Sequence, residues 1–225
     1  MFGGEPCSGN PVAVVLDAHG LSTAEMQRFA RWTNLSETTF VLPPEDAGAD
    51  YRVRIFTPAL ELPFAGHPML GTCHAWLEAG GEARDPEEVV QECGAGLVRI
   101  RREEDRLAFA APPLVRSGPA SEQEVERVAA ALGVVGFHPE GGEAAIELRA
   151  FFSINGVTAE DPVTGSLNAS VAQWLIGSGQ LTAPYVATQG SAIGRDGRIH
   201  ISQDEDGTIW VGGRTETVIS GSVEL

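Results

Sequence analysis

Three acid–base side chains stand where loops meet regular structure, and their settings differ enough to suggest separate tasks. Glu37 follows Asn34-Leu35-Ser36 and precedes Thr38-Thr39-Phe40, so a lone carboxylate sits at the entrance of an otherwise uncharged strand. Taking a carboxyl group out of water favours its neutral form and raises its pKa toward the range a general acid or base needs near neutral pH. The plainer reading of Glu37 is a solvent-facing residue at a strand edge. Gly66-His67 precedes a helix, and there glycine lets a ligand approach the amides and an imidazole can donate to a bound group or relay its proton. A histidine in that position is also a common cap or surface residue. Asp161-Pro162 fits a helix N-cap followed by proline at the first helical position, and Thr164-Gly165-Ser166 adds a hydroxyl and a flexible amide that together resemble an oxyanion grip.

The elements that must position these residues occur twice. One segment runs from Arg54 through Phe56 and Gly66-His67-Pro68 to Trp76-Leu77, and a second from Arg149 through Phe151 and the Asp161–Ser166 loop to Trp174-Leu175. Within the helical parts Met69, Cys73, Trp76 and Leu77 match Leu167, Val171, Trp174 and Leu175 at a single offset, apolar at i, i+4, i+7 and i+8, the spacing of one buried helix face. Two similar lobes, each presenting a helix N-terminus, predict a site in the cleft between them.

Around the repeat, short apolar or alternating runs predict strands at Val12–Leu16, Ser36–Leu42, Tyr51–Thr57, Val89–Cys93, Leu97–Ile100 and Leu107–Ala110. Further strands are predicted at Val186–Thr188, Ile199–Ser202, Thr208–Val211 and near Val218. Ser22-Thr23-Ala24-Glu25 is a capping box that opens a helix burying Met26, Phe29 and Ala30 and ending near Asn34; Ser121–Glu124 opens another, through Val125, Val128 and Leu132, that Gly133 closes. Pro112-Pro113 marks the expected boundary between an N-terminal lobe, 1–112, and a C-terminal lobe, 113–225, with a last strand near 215–225 able to return to the first. The class is mixed α+β.

Composition narrows the partners. Fifteen Arg and no Lys against 31 acidic residues leave a net charge of -16, which argues against a nucleic-acid or anionic-membrane partner. No apolar stretch is long enough to span a bilayer and no signal peptide is evident, so a soluble cytoplasmic protein is expected. Cys7, Cys73 and Cys93 lack metal or disulfide spacing, the five histidines form no ligand set, and without a Lys there is no phosphate loop; neither metal nor nucleotide is predicted.

Gly9-Asn10-Pro11, Leu35-Ser36-Glu37-Thr38-Thr39-Phe40, Phe56-Thr57-Pro58, the Glu61–Pro68 segment and Glu160–Ser166, in this order, resemble the PhzF-like family of phenazine biosynthesis over most of the chain. The resemblance implies a diaminopimelate epimerase-like fold of two pseudo-symmetric lobes, each a curved sheet or barrel around a central helix. It implies a homodimer and a cofactor-independent isomerase, in which Glu37 moves a proton between carbons of a small carboxylated, dihydro-hydroxyanthranilate-like metabolite. His67 and Asp161 would lie near the reacting ring, and Ser36, Gly66, Gly165 and Ser166 would bind the substrate. Superfamily members that racemise with two cysteines carry them in loops that here hold Gly66-His67 and Asp161-Pro162, so thiol chemistry is not expected. The chain departs from the family in a short stretch between Gly133 and Ile146, which predicts a thinner second lobe with Asp161 and Gly165 less shielded from water. A different class remains open: a small-acid-binding or interaction protein that keeps the fold without turnover.

Overall fold

The computed structural model describes residues 1–114, 118, 131–154 and 157–225. The chain divides into two compact units, one of Met1, Pro11–Ala110 and Gly213–Leu225, the other of Phe2–Asn10 and Ala111–Gly212. This differs from a simple split at 112, because the first ten residues group largely with the second unit and the last thirteen with the first.

In the first unit, β1 (Ala13–Val15), β2 (Thr38–Leu42), β3 (Tyr51–Phe56), β5 (Glu88–Cys93), β6 (Gly96–Arg102) and β7 (Leu107–Ala110) lie side by side in that order, and β4 (Glu61–Leu62) pairs with β3. The helix α1 (Thr23–Thr33) begins as its capping box requires. Ser22 accepts from the Glu25 amide, Glu25 accepts from the Ser22 amide at 2.8 Å, and Asn34 ends the helix at φ 53°. The helix α2 (Gly66–Glu78) packs against β1, β2, β3, β5 and β7.

Strand β2 is covered on both sides, which is why it carries no charge. Phe40 joins Phe56, Met26, Ala30 and Ala18 in the core under α1, with Phe40 and Phe56 edge to face at 5.5 Å. Residues of opposite parity point the other way: the Thr72 hydroxyl of α2 reaches Thr39 at 2.7 Å. Glu37 shares the parity of Thr39, and its carbonyl still accepts from the Ala13 amide, so the extended backbone aims its side chain toward α2.

The second unit repeats this plan. Strand β9 (Ile146–Ile154) pairs antiparallel with β10 (Val157–Asp161), the helix α3 (Gly165–Gly177) follows, and β11 (Tyr185–Gln189) returns parallel to β9. In the first unit β3 turns into β4, α2 follows, and β5 returns parallel to β3. Each hairpin is closed in the same way. Arg54 makes two 2.7 Å bonds to Glu61 with its guanidinium 5.1 Å from the Phe56 ring; Arg149 bonds Glu160 at 3.1 and 2.6 Å and lies 4.9 Å from Phe151. Strands β12 (Gly197–Gln203) and β13 (Ile209–Gly213) extend β11 as β6 and β7 extend β5, and β8 (Ala131–Phe137) lies antiparallel to β9 as β2 does to β3.

Several expectations change. Leu132 and Gly133 belong to strand β8 rather than to a helix end; the capping box at Ser121 lies outside the described residues. No strand forms near Val218: residues 214–225 have no regular structure, and Ile219 is exposed. The repeated helices do not bury one face each. The first two turns of α2 are buried all round because strands flank the helix on several sides, whereas Trp174 of α3 is half exposed. Among the described residues no helix is long and apolar enough to cross a membrane.

Because Phe40 ties α1 to β2 and β3, truncating it should cost about 3–5 kcal/mol of unfolding free energy. Urea denaturation of Phe40→Ala checks this; an unchanged midpoint would show that the cluster does not anchor the sheet.

Candidate active site

Parity brings Glu37 and His67 together. Glu37 Oε2 lies 3.3 Å from His67 Nε2, with the Glu37 side chain 16% exposed and the His67 side chain 4% exposed. The same ring nitrogen lies 3.3 Å from the Pro11 carbonyl, which can only accept, so Nε2 carries the hydrogen. Burial, with help from the Met1 ammonium, pushes the His67 pKa down to about 3 against the pull of the Pro11 carbonyl. The imidazole is therefore neutral at physiological pH. It stands beside the carboxyl group without being a counter-ion to it. Gly66, the first residue of α2, is buried beside it, and Ser36 is exposed one residue before Glu37. Gly66 and His67 lie inside the first helical turn rather than ahead of it.

In the second unit Asp161 ends β10, and the helix starts later than the Asp-Pro pattern suggested: Thr164 is the N-cap and Gly165 the first helical residue. Asp161 is therefore not a cap. Its Oδ2 accepts from the Thr164 hydroxyl at 2.5 Å and its Oδ1 from Asn10 Nδ2 at 3.0 Å, while Asn10 also donates to the Val163 carbonyl at 2.8 Å. Burial raises the Asp161 pKa to about 6 even though both bonds pull it down. The short Gly133–Ile146 stretch thus does not leave this carboxyl group in water. Gly165 is buried and Ser166 half-buried at the first turn of α3, where helical geometry leaves amides without intrahelical acceptors.

Two residues of this cluster escape a reading by acid–base type. Asn10 is fully buried and arrives from the N-terminal segment, which is held to β12 by the Gly3–Gly197 bridge and by the Phe2 carbonyl accepting from Arg198 N at 2.8 Å. Gln189, at the end of β11, is buried and bonds both Asp161 and Thr164. Gly190 follows it at φ +90°, where a Cβ would come within 2.5 Å of the Pro162 carbonyl. The signal for Gln189 was present: it follows Gln91 by the spacing that separates Trp174 from Trp76, and Gln91 is also buried, donating to the Met69 carbonyl of α2 at 2.7 Å.

Thiol chemistry finds no support here. Cys73 is buried and burial pushes its thiol up to about 12, so it is not a base at neutral pH. An open depression of about 620 Å³ in the second unit, bordered by His138, Glu147 and Ser191, contains none of the seven predicted site residues. At its rim Arg198 is paired with Glu143 and Asp196.

Comparison with known proteins shows the family and the fold. A family profile described as phenazine biosynthesis-like protein, PhzC-PhzF, matches residues 1–111 and 119–221. Antisense-enhancing sequence 1 of Schizosaccharomyces pombe is 32% identical over 284 aligned positions, covering 98% of this chain and 95% of the relative. Trans-2,3-dihydro-3-hydroxyanthranilate isomerase of Pseudomonas aeruginosa is 53% identical over 97 positions, 43% of this chain and 33% of that enzyme. The crystal structure of a PhzF-family phenazine biosynthesis protein of Bacillus anthracis superposes with a TM-score of 0.75 at 23% identity, covering 95% of this chain and 93% of that one.

The two shifted groups act on stability with opposite sign. As pH falls from about 6 toward 3.8, folded Asp161 holds a proton that the unfolded chain has released, so acidification favours the fold; as pH falls from 6.5 toward about 3, only the unfolded chain protonates His67, so acidification opposes it. Relative to wild type, Asp161→Asn should therefore lose stability more steeply between pH 7 and pH 4.5, and His67→Asn less steeply. Urea midpoints at the two pH values decide; parallel slopes in all three proteins would refute the assignment.

Proposed function

Because the chain belongs to the phenazine biosynthesis-like (PhzC-PhzF) family, we propose that it is an isomerase that shifts a proton between carbons of a small carboxylated metabolite, without a cofactor, using Glu37 as base and then acid. The observation that carries this reading is the pairing of Glu37 with a neutral, buried imidazole, His67, at 3.3 Å. An imidazolium in that place would hold Glu37 as a committed anion. A neutral imidazole puts no counter-charge there, which suits a carboxyl group proposed to carry a proton. In the forward step a C–H bond next to an unsaturated, acid-bearing carbon breaks, its proton passes to Glu37 and the double bond moves over. The same proton then forms a C–H bond at the far end of the shifted system. Glu37 ends as it began, so the cycle balances with no other reactant.

The remaining roles follow from local chemistry. Asp161, whose pKa is raised to about 6 by burial, can carry or release a proton near neutral pH and suits the amino or hydroxyl group of the substrate. The first-turn amide at Gly66, with Ser36 beside Glu37, suits its carboxylate, and in the second unit the first-turn amides at Gly165-Ser166 are suited to an acid group as well. The isomerase name of the Pseudomonas aeruginosa relative supports a cyclic dihydro-hydroxyanthranilate-like acid as the substrate class.

Glu37→Gln preserves shape while removing the proton carrier. In deuterated buffer with trans-2,3-dihydro-3-hydroxyanthranilate, proton NMR should show deuterium entering the substrate with wild type. With the variant that exchange should fall at least about a hundredfold, with binding retained by calorimetry. Undiminished exchange would remove Glu37 from the mechanism; binding without exchange in wild type would favour an acid-binding protein that has lost turnover.

A further inference from the structure

The amide of Gln189 uses all of its hydrogen-bonding capacity, and two of its partners fix which way it faces. The Thr164 backbone N–H, 3.0 Å away, can only donate and therefore meets Oε1, whereas the Asp161 carbonyl, 3.1 Å away, can only accept and therefore meets Nε2. Oε1 also accepts from Asn168 Nδ2 at 3.0 Å, and Nε2 also donates to the Thr164 hydroxyl oxygen at 3.0 Å. That last bond has a consequence. The Thr164 oxygen receives a hydrogen from Gln189, and its own single hydrogen is directed to Asp161 Oδ2, 2.5 Å away.

We propose that Gln189 is a positioning residue for Asp161: by occupying a lone pair of the Thr164 hydroxyl it turns that group's own hydrogen toward the carboxyl group. Asn10 offers Oδ1 the same one-way bond, since both of its amide hydrogens are donated, to Asp161 and to the Val163 carbonyl. Asp161 thus receives a hydrogen on each oxygen. This favours the carboxylate and opposes the burial that favours the acid, so a desolvated carboxyl group remains able to change state near neutral pH. Charged groups on the neighbouring elements are engaged elsewhere. Glu160 precedes Asp161 on β10, faces the opposite side and pairs with Arg149 of β9, while the Arg195 guanidinium, beyond β11, is bound to the carbonyls of Cys7 and Gly9. The inference deepens the proposed function, which gives Asp161 its task, but it concerns the resting protein.

The test is the titration of Asp161, read without substrate by carbon-13 NMR of protein labelled at the aspartate carboxyl carbons, with Asp161→Asn to assign the signal. Thr164→Val should raise its midpoint by about one pH unit and Thr164→Ser should leave it in place. Gln189→Met should raise the midpoint in the same sense, and the Gln189→Met, Thr164→Val double variant should shift it no further than Thr164→Val alone, because Gln189 acts through that hydroxyl. A wild-type midpoint in Gln189→Met, or additive shifts in the double variant, overturns the proposal. Should Gln189→Met fail to fold, the two Thr164 variants still decide, since equal midpoints for Val and Ser would deny the hydroxyl its donor role. Because no turnover enters the measurement, loss of the isomerase reading and loss of this one are separate results.

Discussion

Keeping an ionisable group out of water while leaving it able to ionise is the constraint on which this structure turns. Desolvation alone drives a carboxyl group toward its neutral form and an imidazole toward its unprotonated one. Asp161 and His67 both feel that pressure, with pKa values moved to about 6 and about 3. The protein answers it with oriented dipoles: amide and hydroxyl hydrogens toward Asp161, a proline carbonyl toward His67. Such partners set a protonation state without fixing it as firmly as an ion pair would, which suits groups meant to exchange protons.

The ion pairs that are present do another job. Arg54 with Glu61 and Arg149 with Glu160 close the two hairpins that lead into the central helices, each guanidinium held in two bonds and lying near a phenylalanine ring. Charge is thereby used to fix the path of the chain at the sheet, while neutral contacts shape the chemistry at the helix starts. The two units share this division, and they share a buried glutamine at the strand after the helix, Gln91 in one and Gln189 in the other. The glutamines have diverged: Gln91 supports the helix backbone through Met69, whereas Gln189 supports a side chain of the site.

Much of this was legible in the residues. Short apolar or alternating runs located β2, β3, β5, β6 and β7, the capping box fixed α1, and the repeat matched the two central helices, whereas β4, β8, β9 and β10 were not foreseen. Where the reading failed, the cause was physical. Leu132 and Gly133 resemble a helix end locally, but pairing with β9 places them in a strand, and no local signal encodes that partner. Helical spacing predicted one buried face for each central helix, yet the number of strands around a helix is a tertiary fact. Asp161-Pro162 has the residues of a cap, and the strand β10 carries Asp161 past that role, so Thr164 caps instead. Glu37, His67 and Asp161 stood out by chemical type, whereas Asn10 and Gln189 do not titrate and matter only through what they hold.

The grouping of Phe2–Asn10 with the second unit carries a consequence for biosynthesis. Asn10 reaches a partner 151 residues later in the chain, so during synthesis one half of this contact emerges from the ribosome long before the other. Until then the early segment must stay undocked. So long a loop is slow to close, and the pocket around Asp161 is completed only after both segments are free of the ribosome.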